Sequence, residues 1–549
     1  MMKLILALMA IITAAACTLA SRGLFHLFQL ESYQFRGYFR SVRRALGRSL
    51  LPGAALFGAA IFWFFILGWI ASNWLPGLTG WPMLALYAVI MLGVGALLCR
   101  AGKRQKAKKA LVMTPRMKRL FGLAPFAYLL IMALLSLVML ALLPGRDERI
   151  GGVSMVLVLF PLGLPLWAAL AGLAAWPIER GINRLYQRDA EHILASRPDL
   201  IKIGITGSYG KTSVKFILGT ILEEKYRVLV TPSSFNTPMG LTRVIRTMLE
   251  PGHQVFVAEM GARHRRDIRD LTRFIRPRYG LLTSVGPQHL ETFGSIENIR
   301  ETKYDLIRAI PQDGCAFFAD DGGIVRELYA RTADKPRRLA GLNRSEETDV
   351  WAEDVRVSPE GSRFRLCTRD GSIDCQTELL GQHNIQNILL AASCALELGL
   401  DLRQIARGIA RLQPVEHRLQ LIHRAGGLTM IDDAFNSNPQ GAKAALDVLR
   451  QFPPRRVIVT PGMVELGEGE ADFNREFGRE MAQAVNVAVL VGPKHTAPIR
   501  EGLTEKGFPA EHIHTVASLD EAMAVLRQLA RPGDTVMFEN DLPDNYSES

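Results

Sequence analysis

The sequence predicts an α-helical membrane region followed by an α/β body of two domains, and three observations carry that expectation. Five long apolar runs crowd the first 175 residues. A glycine loop carrying Lys and Thr joins a β-branched run to an apolar-periodic helix at 201–222. Beyond it, short β-branched runs alternate with helical patterns to the end of the chain, which is how parallel sheets covered by helices are written.

The apolar runs lie at about 2–20, 51–73, 81–99, 124–143 and 153–175. Each approaches the roughly 20 residues that a helix needs to cross a hydrocarbon core. Lys3 and the stretch Ala14-Ala15-Ala16-Cys17 also permit a signal-peptide reading of the first run, but four more runs behind it favour an uncleaved span. Residues 1–175 hold 18 Lys and Arg against 3 Asp and Glu. The whole chain has 65 and 53, leaving 47 against 50 in the remainder. The basic excess therefore sits between apolar runs, where it sets membrane orientation rather than marking a nucleic-acid partner.

The segment 21–50 carries Arg22, Arg36, Arg40, Arg43, Arg44 and Arg48, and the segment 100–119 is richer still. The stretch 74–80 has no charge, and 144–152 balances Arg146 and Arg149 with Asp147 and Glu148. Basic loops stay in the cytoplasm. Five spans then put the N-terminus outside the inner membrane and everything after residue 175 inside, where ATP is. The spans hold no acidic residue and no broken-helix pattern, so an anchor is expected rather than a transporter. Residues 176–195 read as a helical connector. The six cysteines form no CxxC pair and none lies beside a His at zinc spacing, which fits small core residues in a reducing compartment.

The most informative stretch is Ile201-Lys202-Ile203-Gly204-Ile205-Thr206-Gly207-Ser208-Tyr209-Gly210-Lys211-Thr212-Ser213. Strand, glycine loop, helix is the setting of a phosphate-binding loop. Gly207 and Gly210 let backbone N–H groups reach phosphate oxygens, and the helix N-terminus adds a positive end. Lys211 is expected to neutralise the β- and γ-phosphates of ATP, and Thr212 to hold Mg²⁺. The spacing is TGxxGKT, shorter than GxxxxGK[ST].

This loop resembles that of the Mur ligases, which build the peptide stem of bacterial peptidoglycan, and the likeness continues in order over about 196–545. It is carried by Ser234-Phe235-Asn236-Thr237-Pro238-Met239-Gly240, Ala258-Glu259-Met260-Gly261-Ala262 and His289-Leu290-Glu291-Thr292-Phe293-Gly294-Ser295. Gly381-Gln382-His383-Asn384-Ile385-Gln386-Asn387, Glu416-His417-Arg418-Leu419, Ile431 to Pro439 and Met463-Val464-Glu465-Leu466-Gly467 complete it. Within the family it is nearest to the branch that adds D-alanyl-D-alanine.

The resemblance implies a central P-loop ATPase domain at 196–398 and a Rossmann-like C-terminal domain at 399–549, behind a membrane region at 1–175. It makes Glu259 a Mg²⁺ ligand, His289 a ligand of a second Mg²⁺, and Lys303 a lysine that reacts with CO₂ to give a metal-binding carbamate. By composition alone, Lys303 beside Glu301 and Asp305 is an ordinary solvated helix lysine. Asn387 is implied in adenine recognition, Arg418 in phosphate contact and Asp433 in ribose binding, with Ser213, Asn436 and Asn438 lining the same cleft. Asn384 or Asn387 is open to a helix-capping role, and Asp432 to a turn role.

The family's reaction activates a carboxylate with the γ-phosphate of ATP as an acyl phosphate, which an amine then attacks. Positioning and charge neutralisation do most of that work, which suits Lys211, Lys303 and Arg418 better than a nucleophilic Ser or Cys. The chain departs from the pattern in two places. The ATP loop begins about 30 residues after the last apolar run, where soluble relatives carry a domain that grips the UDP end of the substrate. The lysine-glycine-serine element usual near the family's C-terminus is replaced by Phe538-Glu539-Asn540-Asp541-Leu542-Pro543-Asp544. The expected substrates are a muramoyl-peptide or lipid-linked carboxylate and an amino acid or dipeptide amine. A ligase for another carboxylate, such as a polyglutamate, and a membrane ATPase with no ligase activity are the competing expectations.

Overall fold

The computed structural model describes residues 2–31, 33–67, 80–104, 110–232, 235–415, 418–424, 427–434, 438–453, 455–464, 466 and 469–541. Ser234, Glu416, His417, Phe435, Asn436, Ser437, Glu465, Gly467 and the closing Leu542, Pro543 and Asp544, singled out above, lie outside the described residues, as does most of 74–80. The chain divides into two compact units, Met1–Leu185 and Tyr186–Ser549.

The first unit is helical: α1 (Met2–Ala20), α2 (Arg22–Leu30), α3 (Phe35–Arg44), α4 (Leu46–Ile61), α5 (Trp81–Arg104), α6 (Pro115–Leu142), α7 (Arg146–Leu159) and α8 (Leu164–Ala195). Five helical stretches are long and apolar enough to cross a membrane. One expectation changes here. The basic segment 21–50 is helical through much of its length, because Leu24, Phe25, Phe28, Tyr38 and Val42 recur at helical spacing and are buried beneath its arginines. Residues 176–195, read above as a helical connector, are helical and continue α8 through Pro177.

Small residues let α1 and α5 approach closely: a Cβ on Gly95 would stand 2.9 Å from the Ala16 carbonyl oxygen. Hydroxyl pairs fasten neighbouring helices, with Thr13 Oγ1 2.6 Å from the Tyr87 hydroxyl and Ser21 Oγ 2.7 Å from that of Tyr128. The Tyr38 hydroxyl donates to the Pro165 carbonyl at 2.8 Å. Each satisfies a polar group that burial would otherwise penalise.

The second unit contains two sheets. The larger has the order β2-β3-β1-β4-β5-β6-β7-β8-β9, from β1 (Ile201–Thr206), β2 (Val228–Val230), β3 (Val255–Glu259), β4 (Tyr279–Leu282), β5 (Cys315–Ala319), β6 (Arg337–Gly341), β7 (Val350–Ser358), β8 (Gly361–Thr368) and β9 (Ser372–Thr377). Strands β2 to β7 pair in parallel, whereas β7, β8 and β9 form an antiparallel edge. Central strands buried on both faces read as continuous apolar runs, as Val255-Phe256-Val257-Ala258 does. Helix α9 (Lys211–Leu222) packs Val214, Ile217, Leu218 and Ile221 onto β1 and onto α10 (Gln382–Glu397), inside one core.

The smaller sheet has the order β10-β11-β15-β12-β13-β14, from β10 (Gln420–Arg424), β11 (Leu428–Asp433), β12 (Arg456–Thr460), β13 (Val487–Val491), β14 (Ile513–Val516) and β15 (Thr535–Glu539). Apart from the antiparallel β10 its strands are parallel. In parallel sheets ligands collect beyond the carboxyl ends of the strands. That edge carries Thr206 of β1, Glu259 of β3 and Asp433 of β11.

Candidate active site

The turn from β1 to α9 is shaped by what its glycines exclude. A Cβ on Gly207 would lie 1.9 Å from Thr283 Oγ1, and one on Gly210, whose φ is +79°, would lie 2.7 Å from Asn387 Oδ1. The loop is fastened to the segment after β4. Ser208 N donates to the Ser284 carbonyl at 2.8 Å, Tyr209 N to Ser284 Oγ at 2.8 Å, and Ser208 Oγ to the Gly286 carbonyl at 2.9 Å. Thr283 Oγ1 donates to the Tyr209 carbonyl. Replacing Gly207 with alanine is expected to push Thr283 off this loop. Nucleotide affinity should fall about tenfold or more, the worth of one or two misplaced hydrogen bonds, read by nucleotide titration beside an unchanged circular dichroism spectrum.

Four cations converge on this loop. Lys211 Nζ donates to the carbonyls of Gly207 (2.7 Å) and Ser208 (2.9 Å). Lys303, only 2% exposed, donates to the same Gly207 carbonyl at 2.8 Å. Lys215, fully buried one turn along α9, reaches Glu259 Oε2 at 3.1 Å. Arg418, from the segment before β10, acts electrostatically on Lys211, Lys215 and Glu259. Burial lowers the Lys211 ammonium to about 8, offset in part by Glu259. Burial and the Lys211 charge hold Lys303 well below the usual lysine range. Burial pushes the Glu259 carboxyl up, but Lys215, Lys211 and the Asn236 amide outweigh it and hold it below its ordinary value. A cluster with this surplus of cations suits a highly charged anion.

Glu259 is the organising acceptor. Besides Lys215 it takes Thr212 Oγ1 on Oε2 at 3.0 Å and Asn236 Nδ2 on Oε1 at 3.0 Å, and its own N–H donates to Thr231 Oγ1 at 3.2 Å. A hydroxyl and a carboxylate touching at the mouth of a phosphate loop are the hard oxygen donors that suit Mg²⁺. Among the described residues no three His, Cys, Asp or Glu side chains cluster as a metal cage. Thr212 and Glu259 would hold Mg²⁺, and Gly207 to Ser213, with Lys211, the phosphates of ATP. When bound, the ion would offset phosphate charge.

The other expected residues fall as follows. Ser213 lies in the first turn of α9, beside Thr212. Asn387 abuts Gly210 and donates to Asn384 Oδ1 at 3.4 Å. Asn384 Nδ2 donates back to the Leu380 carbonyl at 2.9 Å, and Gly381 takes the N-cap position, so neither asparagine caps α10. His289 heads the short turn Leu290–Phe293 in a left-handed conformation, φ +55°. Asn438 caps the helix Pro439–Leu449 through the Gly441 N–H, and Asp432 closes a turn on the Ala434 N–H. Asp433 Oδ1 accepts the Leu419 N–H at 3.1 Å and pairs in register with Glu539.

Lys215 and Asn236 carry the site as much as the expected residues do. Lys215 had a readable signal, a lysine inside the apolar face Val214, Ile217, Leu218; Asn236 had none beyond its motif. A surface depression of about 610 Å³ lined by Thr496, Arg500 and Thr504 includes none of these groups.

Burial, then Glu539 and Asp432, raise the Asp433 carboxyl to about 8, against the Leu419 N–H and Arg418, which lower it. An acid raised in the folded state favours folding at low pH, and that contribution is lost as pH rises through the folded value. Between about pH 4 and 8, the melting temperature of the wild type is therefore expected to fall relative to that of Asp433→Asn. Parallel melting curves for the two proteins would contradict this.

A strand–loop–helix turn with four cations gathered about Gly207 and Glu259 suits an ATP-dependent enzyme. Comparison with known proteins agrees. The Mur ligase middle domain matches residues 205–395, and the Mur ligase, glutamate ligase domain matches residues 417–539. The UDP-N-acetylmuramoyl-tripeptide--D-alanyl-D-alanine ligase of Mycobacterium bovis is 34% identical over 360 residues, covering 61% of this chain and 69% of that protein. The ligase of the same name from Escherichia coli is 31% identical over 306 residues, covering 55% and 67%. The crystal structure of MurF from Acinetobacter baumannii superposes with a TM-score of 0.60 at 27% identity, covering 67% of this chain and 79% of that one. The chain belongs to the Mur ligase family. It is an ADP-forming peptide ligase that uses ATP and Mg²⁺.

Proposed function

We propose that this ligase adds D-alanyl-D-alanine, or a similar amine, to a muramoyl-peptide carboxylate in peptidoglycan precursor synthesis, while held at the cytoplasmic face of the inner membrane. The observation that carries the chemistry is the convergence of Lys211, Lys215, Lys303 and Thr212 on Gly207 and Glu259. The amine and the carboxylate are those named for the Mycobacterium bovis and Escherichia coli relatives.

The residues divide the work as follows. Lys211 and Arg418 neutralise phosphate oxygens while a substrate carboxylate oxygen attacks the γ-phosphorus and ADP leaves. The acyl phosphate then accepts the amine nitrogen at its carbonyl carbon, phosphate departs with the C–O electron pair, and the nitrogen loses a proton. Asn387 and Asp433 are assigned to adenine and ribose. Lys303, as a carbamate formed from its free amine and CO₂ with loss of one proton, would join His289 at a second Mg²⁺. Residues 196–398 and 399–549 are taken as the two catalytic domains.

Membrane residence is supported by the five apolar helices and by the outward face of α6, where Phe126, Leu130, Leu134 and Leu137 are all more than half exposed. With the basic segments inside, the N-terminus lies outside. The helical unit precedes the ATP domain directly, which favours a lipid-linked carboxylate as a second reading of the substrate. The test is phosphate release by detergent-purified protein, with UDP-linked or lipid-linked muramoyl peptides crossed with D-alanyl-D-alanine and single amino acids. Release that depends on both partners supports the proposal; release indifferent to every amine would make the protein an uncoupled ATPase.

A further inference from the structure

At the basic end of the helical unit, the turn between α2 and α3 meets the start of α6 and the middle of α8. Here Phe28, Tyr33, Phe35, Arg116, Trp176 and Glu179 border a cavity of about 20 Å³. Its parts are built rather than incidental. Tyr33 is held with φ at +62° by its N–H on the Phe28 carbonyl, and its ring lies under the Arg116 guanidinium, 3.7 Å from carbon to centroid. Thr114 caps α6 through the Met117 N–H, so the positive end of that helix opens beside Arg116. Gln29 holds the approach to α6 by exchanging two hydrogen bonds with Val112.

The charges do not balance. Glu179, 4% exposed, is engaged edge-on by Arg119, Nε to Oε1 at 2.5 Å and Nη2 to Oε2 at 2.8 Å. Glu31, the nearest other acid in sequence, takes the Ser41 hydroxyl at 2.5 Å. Two guanidinium groups thus face the one Glu179 carboxylate, whose charge also acts on Arg116; no described residue accepts an Arg116 N–H, and stacking on a ring leaves those in-plane donors available. The Tyr33 hydroxyl is buried with no hydrogen-bond partner among the described residues, a costly arrangement for a polar group. A surplus guanidinium, an orphan hydroxyl and a helix N-terminus share one demand, an anionic oxygen. The space admits a single oxygen-sized atom, so the rest of such a ligand must stand outside, beside Trp176, which is 48% exposed.

The geometry points to a site for the phosphate group of a membrane lipid, one oxygen received by Arg116 and the Tyr33 hydroxyl and the glycerol or sugar side resting on Trp176. It rests on the membrane reading above, because both α6 and α8 run on from this level into their apolar stretches.

The test uses the full chain in detergent and native mass spectrometry. The probes are phosphatidylglycerol, a galactosyl diglyceride that lacks phosphate, and inorganic phosphate. Retained phosphatidylglycerol adducts are expected on the wild type, about tenfold weaker in Arg116→Gln and about threefold weaker in Tyr33→Phe, the scale of one charged and one neutral hydrogen bond. Arg146→Gln, about 40 Å away at the far end of α6, should match the wild type. Tyr33→Phe deletes a hydroxyl with no hydrogen-bond partner among the described residues, so it keeps the question answerable if Arg116→Gln misfolds. Equal adducts with the galactolipid, wild-type adducts in Tyr33→Phe, or displacement by inorganic phosphate would each overturn the site. Carbonate extraction of membranes reports separately on membrane residence, so the two readings fail by different measurements.

Discussion

Lys303→Ala is expected to lose at least about a hundredfold in kcat, and to regain part of it when acetate or propionate is added. The expectation follows from where Lys303 sits. It is buried in the phosphate loop's wall beside a second lysine, where an ammonium is disfavoured, and its visible partner is a carbonyl that Lys211 already serves. A purely structural lysine there would be redundant, and its loss would shift stability little. A carbamate would instead bring an anion among Lys211 and Arg418, where it has counter-charges ready. Small carboxylates entering the space left by the shortened side chain would mimic it. ¹³C-bicarbonate labelling gives a readout independent of turnover: a carbamate resonance in the wild type that Lys303→Ala lacks. A variant with full activity would sink the assignment.

The second large effect is at Glu259. Its removal takes from Lys215, which is fully buried, the carboxylate partner that stands 3.1 Å away. Breaking one side of a buried ion pair costs about 3 kcal/mol or more, so Glu259→Ala should melt well below the wild type and lose about a thousandfold in activity with its metal contact. The double variant Glu259→Ala, Lys215→Met separates the two losses. Stability should largely return, since an apolar side chain of similar length needs no counter-charge, while activity should not. If activity returned with stability, Glu259 would be a scaffold for Lys215 and nothing more. Isothermal titration with Mg²⁺ and a non-hydrolysable ATP analogue reads the metal contact directly.

Much of this architecture is written locally. The β1 turn announces itself because close approach demands glycine at Gly207 and Gly210, and buried parallel strands must be apolar throughout. Side-chain fate is less legible where the same letter serves opposite purposes. Lys303 sits among Glu301 and Asp305 like any solvated lysine, and only the family likeness marked it; the fold turns it inward. Lys215 stood inside the apolar face of Val214, Ile217 and Leu218, but the carboxylate that lets a lysine be fully buried there lies 44 residues away in sequence. In the helical third, the arginines of 21–50 concealed the apolar spacing of Phe25, Phe28, Tyr38 and Val42.

The Gly207 carbonyl has a consequence for turnover. One oxygen accepts from two lysines, and a carbamate on Lys303 would withdraw that lysine from the competition. Lys211 is then left between a neutral carbonyl and the charged oxygens of a phosphate. As phosphate charge leaves with the product the carbonyl competes better, so departure of the spent nucleotide is expected to be eased by the loop's hold on its own lysine.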